Sequence, residues 1–207
     1  MDTREPVVYV VDDDPSFLRG VSRLLSAAGL TIGAFRSAED FLAAHDPREP
    51  GCLVLDLAMP GLTGLELQEA LEASGCERPI VFLSGRGDIP SSVQAMKHGA
   101  VDFLTKPVDE DVLLAAIDAA LERDAIRRQD RGEVIDFRRR WATLTPRESE
   151  VAQRVIAGRL NKQIATEMGI VERTVKYHRN HVMSKLDVRS VAELARLAAL
   201  ADLTPDG

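Results

Sequence analysis

Apolar and polar positions follow two different patterns along the chain, with a change near residue 142. Before that point, short apolar runs are separated by amphipathic stretches. The apolar runs are Val7–Val11, Thr31–Phe35, Cys52–Leu57, Ile80–Ser84 and Val101–Leu104. The amphipathic stretches cover about residues 15–28, 37–44, 64–74, 90–98 and 109–123. This alternation predicts five strands, each followed by a helix.

The composition of the apolar runs indicates how the strands are arranged. Short runs, three of them dense in Val, Ile and Leu, are typical of parallel strands that are covered on both faces. Gly29 and Gly99 stand where helices end, and Ser37 stands where a helix begins. Strand–helix repeats with right-handed crossovers produce a doubly wound, five-stranded parallel sheet. We therefore predict a flavodoxin-like α/β domain over residues 1–123.

The next segment, residues 124–141, is highly charged and contains no proline. Apolar residues keep a heptad-like spacing into its beginning, at Leu114, Ile117, Leu121 and Ala125. We expect the fifth helix to continue through this segment as a helical linker. Two interpretations remain open, because a short seam is compatible with a two-stranded coiled coil and with a solvated helical spacer.

After the linker the pattern changes to short helices without strands. Thr145–Glu148 is a capping box with proline at the first helical position, so a helix begins there. Asn161 can cap a second helix that ends at Gly169, and a third helix covers about residues 172–185. Ser190–Glu193 is another capping box, which opens a fourth helix. A glycine-containing turn before the third helix predicts a helix-turn-helix module.

Charge is divided unevenly between these regions. Residues 1–137 contain 13 Lys and Arg against 25 Asp and Glu, whereas residues 138–207 contain 13 against 8. We expect the acidic part to handle a cation or a signal, and the basic part to approach a polyanion.

Cysteine content and hydropathy exclude several classes of protein. The two cysteines, Cys52 and Cys76, are too few for a disulfide framework or a four-cysteine zinc site. No apolar run reaches the ~18 residues that a membrane span needs. The beginning of the chain lacks the basic-then-apolar order of a secretory signal. We expect a cytoplasmic protein with no membrane partner.

Polar side chains of related chemistry follow four of the predicted strands. Asp12 and Asp13 follow the first strand, Asp56 lies near the end of the third, Ser84 ends the fourth, and Lys106 lies beyond the fifth. Ligands bind at the carboxyl ends of parallel strands, so these side chains are expected to converge. Crowded carboxylates repel one another unless a divalent cation lies among them, and oxygen ligands suit Mg²⁺. An ammonium and a hydroxyl beside that ion suit an anion such as phosphate.

These segments resemble the receiver domain of bacterial response regulators, over about residues 6–122. The likeness rests on Val11–Asp14, Asp56–Gly61, Ser84–Gly85 and Lys106–Pro107. It implies that Asp56 accepts a phosphoryl group and that Mg²⁺ is held by Asp12, Asp13, Asp56 and the Ala58 carbonyl. It also implies that Ser84 and Lys106 contact phosphoryl oxygens and that Phe103 is the aromatic switch residue. In that family the peptide between Lys106 and Pro107 is cis.

The third short helix separates an apolar stripe from a polar face when it is placed on a helical wheel. The stripe consists of Val175, His178, Val182 and Leu186. The opposite face consists of Arg173, Lys176, Tyr177, Asn180 and Ser184. This face is polar, long-reaching and free of acids, as a helix in the major groove requires. The pattern favours DNA binding over an ordinary solvated face.

Residues 141–203 resemble the LuxR-type DNA-binding domain, which gives a small all-α helix-turn-helix domain over residues 142–207. The likeness rests on Leu144–Glu148, Asn161–Ala165, Arg173–His178 and Lys185–Ser190. Together with the receiver and with Gly85–Pro90, it makes the whole chain similar to FixJ-type regulators of the LuxR/NarL class. The resemblance implies that bases face Lys176, Tyr177 and Asn180. It implies that phosphates face Lys162, Arg173, Thr174 and Arg179.

The resemblance implies a two-component response regulator. A sensor histidine kinase is expected to phosphorylate Asp56. Receivers then pair into a homodimer through a helix surface formed by Val93, Met96 and Lys97. The dimer is expected to bind a double-stranded DNA operator and to act with RNA polymerase on transcription.

Two other functions compete with this interpretation. A phosphatase or phosphotransferase that uses Asp56 as nucleophile has a rival signature with a second carboxylate two residues later, where this chain has Ala58. We therefore expect no enzyme beyond slow autodephosphorylation. A phosphorylation-independent DNA binder with a vestigial receiver is the other alternative, but all five pocket residues are present.

Overall fold

The computed structural model describes residues 4–85 and 89–204. These residues form two compact units, and the division falls between Arg128 and Gln129. No helix in the described ranges is long and apolar enough to cross a membrane. The segment Arg86–Asp88, which contributes to the FixJ-type resemblance, lies outside the described residues.

Within the described part of the first unit, five parallel strands form one sheet in the order β2-β1-β3-β4-β5. The strands are β1 Val7–Val11, β2 Thr31–Phe35, β3 Gly51–Asp56, β4 Ile80–Ser84 and β5 Asp102–Thr105. The helices between them are α1 Pro15–Ala27, α2 Ala38–Ala44, α3 Gly64–Ala73 and α4 Ile89–Lys97, and α5 begins at Glu110. This topology confirms the predicted flavodoxin-like fold.

Alternate residues of each strand fill two apolar layers, one on each face of the sheet. In β1, Val8 and Val10 belong to the layer that contains residues of α1 and α5. Tyr9 and Val11 belong to the opposite layer, with residues of α2, α3 and α4. Strands β3 and β4 are buried along their whole length, as the dense apolar runs predicted.

Two strands begin or end one residue away from their predicted positions. The structure places β3 at Gly51–Asp56 rather than 52–57, and β5 at Asp102–Thr105 rather than 101–104. Gly51 adopts φ +142°, and a Cβ there would overlap the Val7 carbonyl oxygen, so the strand can start only with glycine. Val101, the residue before β5, is apolar because it packs in the layer formed with α1 and α5, although it lies outside the strand.

Helix α5 spans Glu110–Trp141 and continues through the segment that was predicted as a linker. Its heptad-spaced residues Leu114, Ile117 and Leu121 pack in the apolar layer of the first unit. Asp124 is buried, where it accepts hydrogen bonds from the Gly51 N–H at 2.8 Å and from Arg128 Nε at 2.6 Å. The seam that suggested a coiled coil is therefore occupied within the first unit.

The second unit contains the end of α5 and, within its described residues, four short helices. These are α6 Pro146–Ile156, α7 Asn161–Met168, α8 Glu172–Leu186 and α9 Val191–Leu200. Phe137 of α5 is buried in the core of this unit, and its ring lies 5.8 Å from that of Trp141. Arg138 donates to the Ala201 carbonyl at 3.0 Å. The end of α5 is thus part of a packed domain rather than a solvated spacer.

Helix α6 begins with the capping box that the sequence predicted. The Thr145 hydroxyl accepts from the Glu148 N–H at 3.3 Å, and the Glu148 carboxylate accepts from the Thr145 N–H at 2.9 Å. At α9, Ser190 accepts from the Glu193 N–H at 3.1 Å, but the Glu193 carboxylate accepts from the Arg189 N–H instead of completing the box. The second predicted capping box is therefore formed only in part.

The predicted cap of α7 is wrong. Asn161 is the first residue of the helix, and Leu160 stands at the capping position. Leu160 has no side-chain oxygen that could cap the helix, and its own N–H donates to the Gln163 side chain at 2.8 Å. Asn161 accepts a hydrogen bond from Arg179 of α8 at 3.0 Å. The Asn161 side chain, which the sequence pattern predicted as the cap, instead binds Arg179 of another helix.

Candidate functional site

Two buried carboxylates share one ammonium at the carboxyl edge of the sheet. Asp12 follows β1 and is 1% exposed, and Asp56 ends β3 and is 5% exposed. Lys106 Nζ lies 2.5 Å from Asp12 Oδ2 and 2.7 Å from Asp56 Oδ1. Because β1 and β3 are neighbours in the sheet, their ends bring the two acids together.

The electrostatics of this trio keep the lysine charged. Burial raises the pKa of Asp12, against the hydrogen bonds from Lys106 and from the Asp14 N–H, which lower it. Burial also disfavours the Lys106 ammonium, but the hydrogen bonds and charges of Asp12 and Asp56 outweigh it, so the pKa of Lys106 is raised. The ammonium also lies 4.3 Å from the centre of the Phe17 ring, which stabilises the cation further.

The remaining oxygens of the two acids are held by backbone N–H groups. Asp56 Oδ2 accepts from the Ala58 N–H at 3.2 Å, and Asp12 Oδ1 accepts from the Asp14 N–H at 2.9 Å. The Asp14 side chain caps α1 by accepting from the Ser16 N–H at 2.7 Å. Asp14 therefore shapes the start of α1, while Asp13 is exposed to solvent.

Ser84 and Phe103 lie on the two strands next to this pocket. Ser84 ends β4 and is buried, and its carbonyl accepts from the Lys106 N–H at 2.8 Å. Phe103 of β5 is half-buried, and its ring stacks on Phe82 with centroids 6.2 Å apart. The peptide between Lys106 and Pro107 is cis. The structure thus brings Asp12, Asp56, Ser84 and Lys106 to one edge of the sheet.

The donors at this edge fit Mg²⁺ in chemical type. The carboxylates of Asp12, Asp13 and Asp56 and the carbonyl of Ala58 are hard oxygen donors. Across residues 4–85 and 89–204, no three acidic, imidazole or thiol side chains are drawn together into a metal-binding group. Lys106 contacts Asp12 and Asp56 and offsets part of their charge, while the Asp13 side chain is exposed to solvent. Two buried carboxylates with one ammonium still leave net negative charge that favours a cation.

The predicted pairing surface on α4 is exposed and partly apolar. Val93 and Met96 are 46% and 47% exposed, and Lys97 is exposed beside them. Ala95, on the other side of the helix, is buried against the core. The buried Gln68 of α3 donates to the carbonyls of Ala95 and His98 at 3.2 and 3.1 Å, which fastens the end of α4.

The apolar stripe of α8 is largely as predicted. Val175, Val182 and Leu186 are buried in the core of the second unit. His178 is only half-buried, contrary to the prediction that it belongs fully to this face. Its polar ring turns an edge toward Tyr177, with centroids 5.7 Å apart, and keeps contact with solvent.

The opposite face of α8 presents the predicted polar side chains to solvent. Arg173, Lys176, Tyr177, Asn180 and Ser184 are exposed on α8, as is Lys162 on α7. Thr174 is half-buried near the start of the helix. Arg179 is half-buried as well and donates to Asn161, so it joins α7 to α8 in this structure.

Sequence reasoning missed an acid on this face and an ion pair that joins Lys185 of α8 to the buried Glu148 of α6. Glu172, the first residue of α8, lies 3.3 Å from Lys176, so the face is not free of acids. Glu148 is buried, and the hydrogen bonds from Lys185 at 2.6 Å and from the Thr145 N–H lower its pKa to about 2. Glu172 stands at the start of α8, before the residues that define the two faces of the helical wheel. No sequence motif connects Glu148 with Lys185.

Comparison with known proteins identifies both units. Residues 8–118 match the response regulator receiver domain, and residues 142–198 match the bacterial regulatory proteins of the luxR family. Nodulation protein W of Bradyrhizobium diazoefficiens is 45% identical over 192 residues, which cover 93% of this chain and 85% of that protein.

Two further similarities extend over nearly the whole chain. The transcriptional regulatory protein FixJ of the same organism is 40% identical over 199 residues, which cover 96% of this chain and 97% of that protein. The solved structure of the response regulator StyR is 48% identical, with a TM-score of 0.78, and covers 95% of this chain and 100% of that one. The chain therefore belongs to the FixJ-type two-component response regulators, in which a receiver domain is joined to a LuxR-type DNA-binding domain.

Proposed function

We propose that this response regulator controls transcription through phosphorylation of Asp56, which promotes receiver pairing and sequence-specific DNA binding. The observation that carries the proposal is the arrangement around Asp56. One carboxylate oxygen lies 2.7 Å from the Lys106 ammonium, and the other accepts from the Ala58 N–H. Asp56 is therefore a carboxylate nucleophile in a fixed orientation, with a cation beside the position that a phosphoryl group would take.

In the proposed reaction, a carboxylate oxygen of Asp56 attacks the phosphorus of a phosphohistidine on the sensor kinase. A new O–P bond forms while the bond between phosphorus and the histidine nitrogen breaks, and the leaving imidazole takes up a proton. Phosphoryl transfer depends mainly on positioning and charge neutralisation. Lys106 supplies a cation to the phosphoryl oxygens when its contact shifts from the Asp56 carboxylate to the phosphoaspartate.

Receiver domains of this family generally bind Mg²⁺ at the acidic pocket. In this chain, Asp12, Asp13, Asp56 and the Ala58 carbonyl are proposed to hold it. An ion held by these residues would neutralise charge on the phosphoryl oxygens. Ala58 offers no general acid two residues after Asp56, which supports a long-lived phosphoaspartate rather than rapid enzymatic turnover.

Receiver pairing is proposed to follow from movement at the pocket. Ser84 moves toward the phosphoryl group, and Phe103, which is half-buried on the next strand, turns into the vacated space. The surface of α4 that carries Val93, Met96 and Lys97 then changes and pairs with a second copy. To change the ratio of pairing-competent to resting receivers from 1:99 to 99:1, phosphorylation would have to stabilise the pairing-competent state by about 5.5 kcal/mol relative to the resting one. We therefore expect a partial change in the populations of the two states.

DNA recognition is proposed to use the exposed face of α8. Lys176, Tyr177 and Asn180 would contact bases, while Lys162, Arg173, Thr174 and Arg179 contact phosphates. One helix-turn-helix module reads only a few base pairs, so a symmetric dimer on two half-sites is needed for useful specificity. RNA polymerase is the proposed partner of the bound dimer.

The proposal is tested on the full chain with beryllofluoride, a phosphoryl mimic, in the presence of Mg²⁺. Sedimentation should show more dimer with the mimic than without it, and affinity for a selected DNA duplex should rise in parallel. The Val93→Asp variant should still bind beryllofluoride at the acidic pocket but should remain monomeric. A wild-type chain that stays monomeric in both states, or a Val93→Asp chain that still dimerises, would reject α4 as the pairing surface.

A further inference from the structure

Two rings lie against each other on the surface of α8. Tyr177 and His181 are at positions i and i+4, with ring centroids 4.2 Å apart and planes inclined by 37°. Residues four apart lie one turn above each other on a helix, so such rings can pack side by side. Tyr177 is 58% exposed, and one side of its ring lies against the imidazole.

His181 also lies near a carboxylate of α6. His181 Nδ1 lies 3.9 Å from Glu148 Oε1, and the Glu148 side chain is almost completely buried. The second oxygen of Glu148 accepts hydrogen bonds from Lys185 Nζ at 2.6 Å and from the Thr145 N–H at 2.9 Å. Because these donors hold Glu148, the carboxylate near His181 has a fixed position.

The helical wheel separates the roles of the two rings. With Val175 at 0°, Tyr177 falls at about 200° and His181 at about 240°, while Lys176, Asn180 and Arg173 lie between about 100° and 160°. Tyr177 is therefore on the edge of the face proposed to meet DNA, and His181 lies farther round the helix. The His178 ring meets the Tyr177 ring only in an edge arrangement with centroids 5.7 Å apart, whereas the His181 ring lies closer, at 4.2 Å.

An exposed tyrosine without a neighbour can populate several χ1 rotamers, and a base contact has to select one of them. The His181 ring, packed against one side of Tyr177, reduces the number of accessible Tyr177 rotamers in the DNA-free protein. We propose that His181 is a positioning residue for base recognition, because its ring packs against the Tyr177 ring and restricts the rotamers of that side chain. This inference rests on the proposed function, in which α8 reads bases through Tyr177.

The inference is first tested without DNA. In the free full chain, scalar couplings at Tyr177 report the populations of its χ1 rotamers. We expect one dominant rotamer in the wild type, several in His181→Ala, and recovery of the dominant one in His181→Phe, which keeps a ring but no charge. Equal rotamer populations in the wild type and His181→Ala would overturn the positioning role, whatever the chain does with DNA.

The second test measures base preference in the full chain with beryllofluoride, Mg²⁺ and duplexes varied one base pair at a time. His181→Ala should reduce discrimination about three- to tenfold at the same base pair that Tyr177→Ala affects, with an unchanged salt dependence. His181→Phe should restore it, and Gln153→Ala, at an exposed position of α6, should leave it unchanged. Thermal melting verifies that each variant is folded.

The double variant Tyr177→Ala/His181→Ala decides whether the two residues act together. If His181 works through Tyr177, its replacement has no further effect once the tyrosine is gone. A further loss in the double variant, an effect at another base pair, or a reduced salt dependence would show direct contact by His181 and overturn the inference. If Tyr177→Ala itself leaves base preference unchanged, the assignment of Tyr177 to a base fails, and the positioning role fails with it.

Discussion

The acidic pocket and the outward face of α8 are assembled in opposite ways. Lys106 is 94 positions from Asp12 and 50 positions from Asp56 in the chain. These residues meet only because parallel strands end at one edge of the sheet. The side chains proposed to meet DNA on α8, in contrast, lie within about two turns of one helix. The pocket therefore depends on the whole sheet, whereas the helix face depends on one element and its anchoring.

The two regions also differ in how their charges are balanced. In the pocket, Lys106 lies between two buried carboxylates, in a region where charge interactions are strong. On α8, the pair between Lys176 and Glu172 is exposed on both sides and is screened by water and salt. Substitutions in the pocket should thus change both the stability of the fold and the phosphorylation of Asp56. Substitutions on the outward face of α8 should change DNA recognition with little effect on folding.

The largest effect is expected at Asp56. Asp56→Asn keeps the volume of the side chain but removes the nucleophilic oxygen, so labelling by a small phosphodonor should disappear while the chain remains folded. Mass spectrometry measures the labelling, and circular dichroism measures the fold. Asp13→Ala is the matched variant for the metal, and it should weaken Mg²⁺ binding and labelling together. Stoichiometric labelling of folded Asp56→Asn would show that another residue is the acceptor.

The next largest effect is expected at Lys106. Lys106→Met leaves Asp12 and Asp56 without their ammonium, and removal of one partner from a buried ion pair typically costs about 3–5 kcal/mol. Chemical denaturation should show this loss of unfolding free energy, and added Mg²⁺ should recover part of it if the cation replaces the lysine charge. Arg139→Met, which removes an exposed pair with Asp136, is the control and should change stability by less than about 0.5 kcal/mol. Equal effects in the two variants would contradict the buried trio.

A smaller effect, dependent on pH, is expected at Glu148 of the second unit. Its folded pKa of about 2 lies below the ordinary value of 4.5. The carboxylate therefore contributes stability that is present above about pH 4.5 and is lost as the pH falls toward 2. Glu148→Gln should destabilise the helix-turn-helix domain at pH 7 by about 2 kcal/mol, the scale of hydrogen bonds to a charged group. The difference from wild type should shrink between pH 4.5 and pH 2, and a difference independent of pH would refute the ionised pair.

The smallest effects on folding, with clear effects on binding, are expected on the outward face of α8. Tyr177→Ala or Asn180→Ala should change base preference by about 1–3 kcal/mol at one position. Arg173→Ala should weaken binding to all sequences alike and reduce the salt slope by about one unit. Fluorescence anisotropy across salt concentrations and duplex variants separates the two patterns. If Arg173→Ala alters base preference and leaves the salt slope unchanged, the proposed roles must be exchanged.

Much of the architecture could be predicted from local pattern. Periodicity placed the strands and helices within one or two residues, and the residues Thr145 and Glu148 defined the start of α6. These features depend on neighbours within a few positions, because strand alternation, helical repeat and capping are short-range interactions. The residue types at the strand ends also indicated an anion and metal pocket, because the fold class predicted from the pattern fixes which strand ends meet.

The partners of charged side chains were decided by tertiary structure. Nothing in local pattern joins Lys185 to Glu148 or Arg179 to Asn161, and each pair exists because two helices pack at a particular angle. The same holds for Phe137, whose burial within the second unit depends on where the end of α5 packs. Sequence by itself determined the elements, the two families of domain and the residue types at each site. The distances that make an ion pair, a cap or a buried contact arise only between elements, so only the folded chain could decide them.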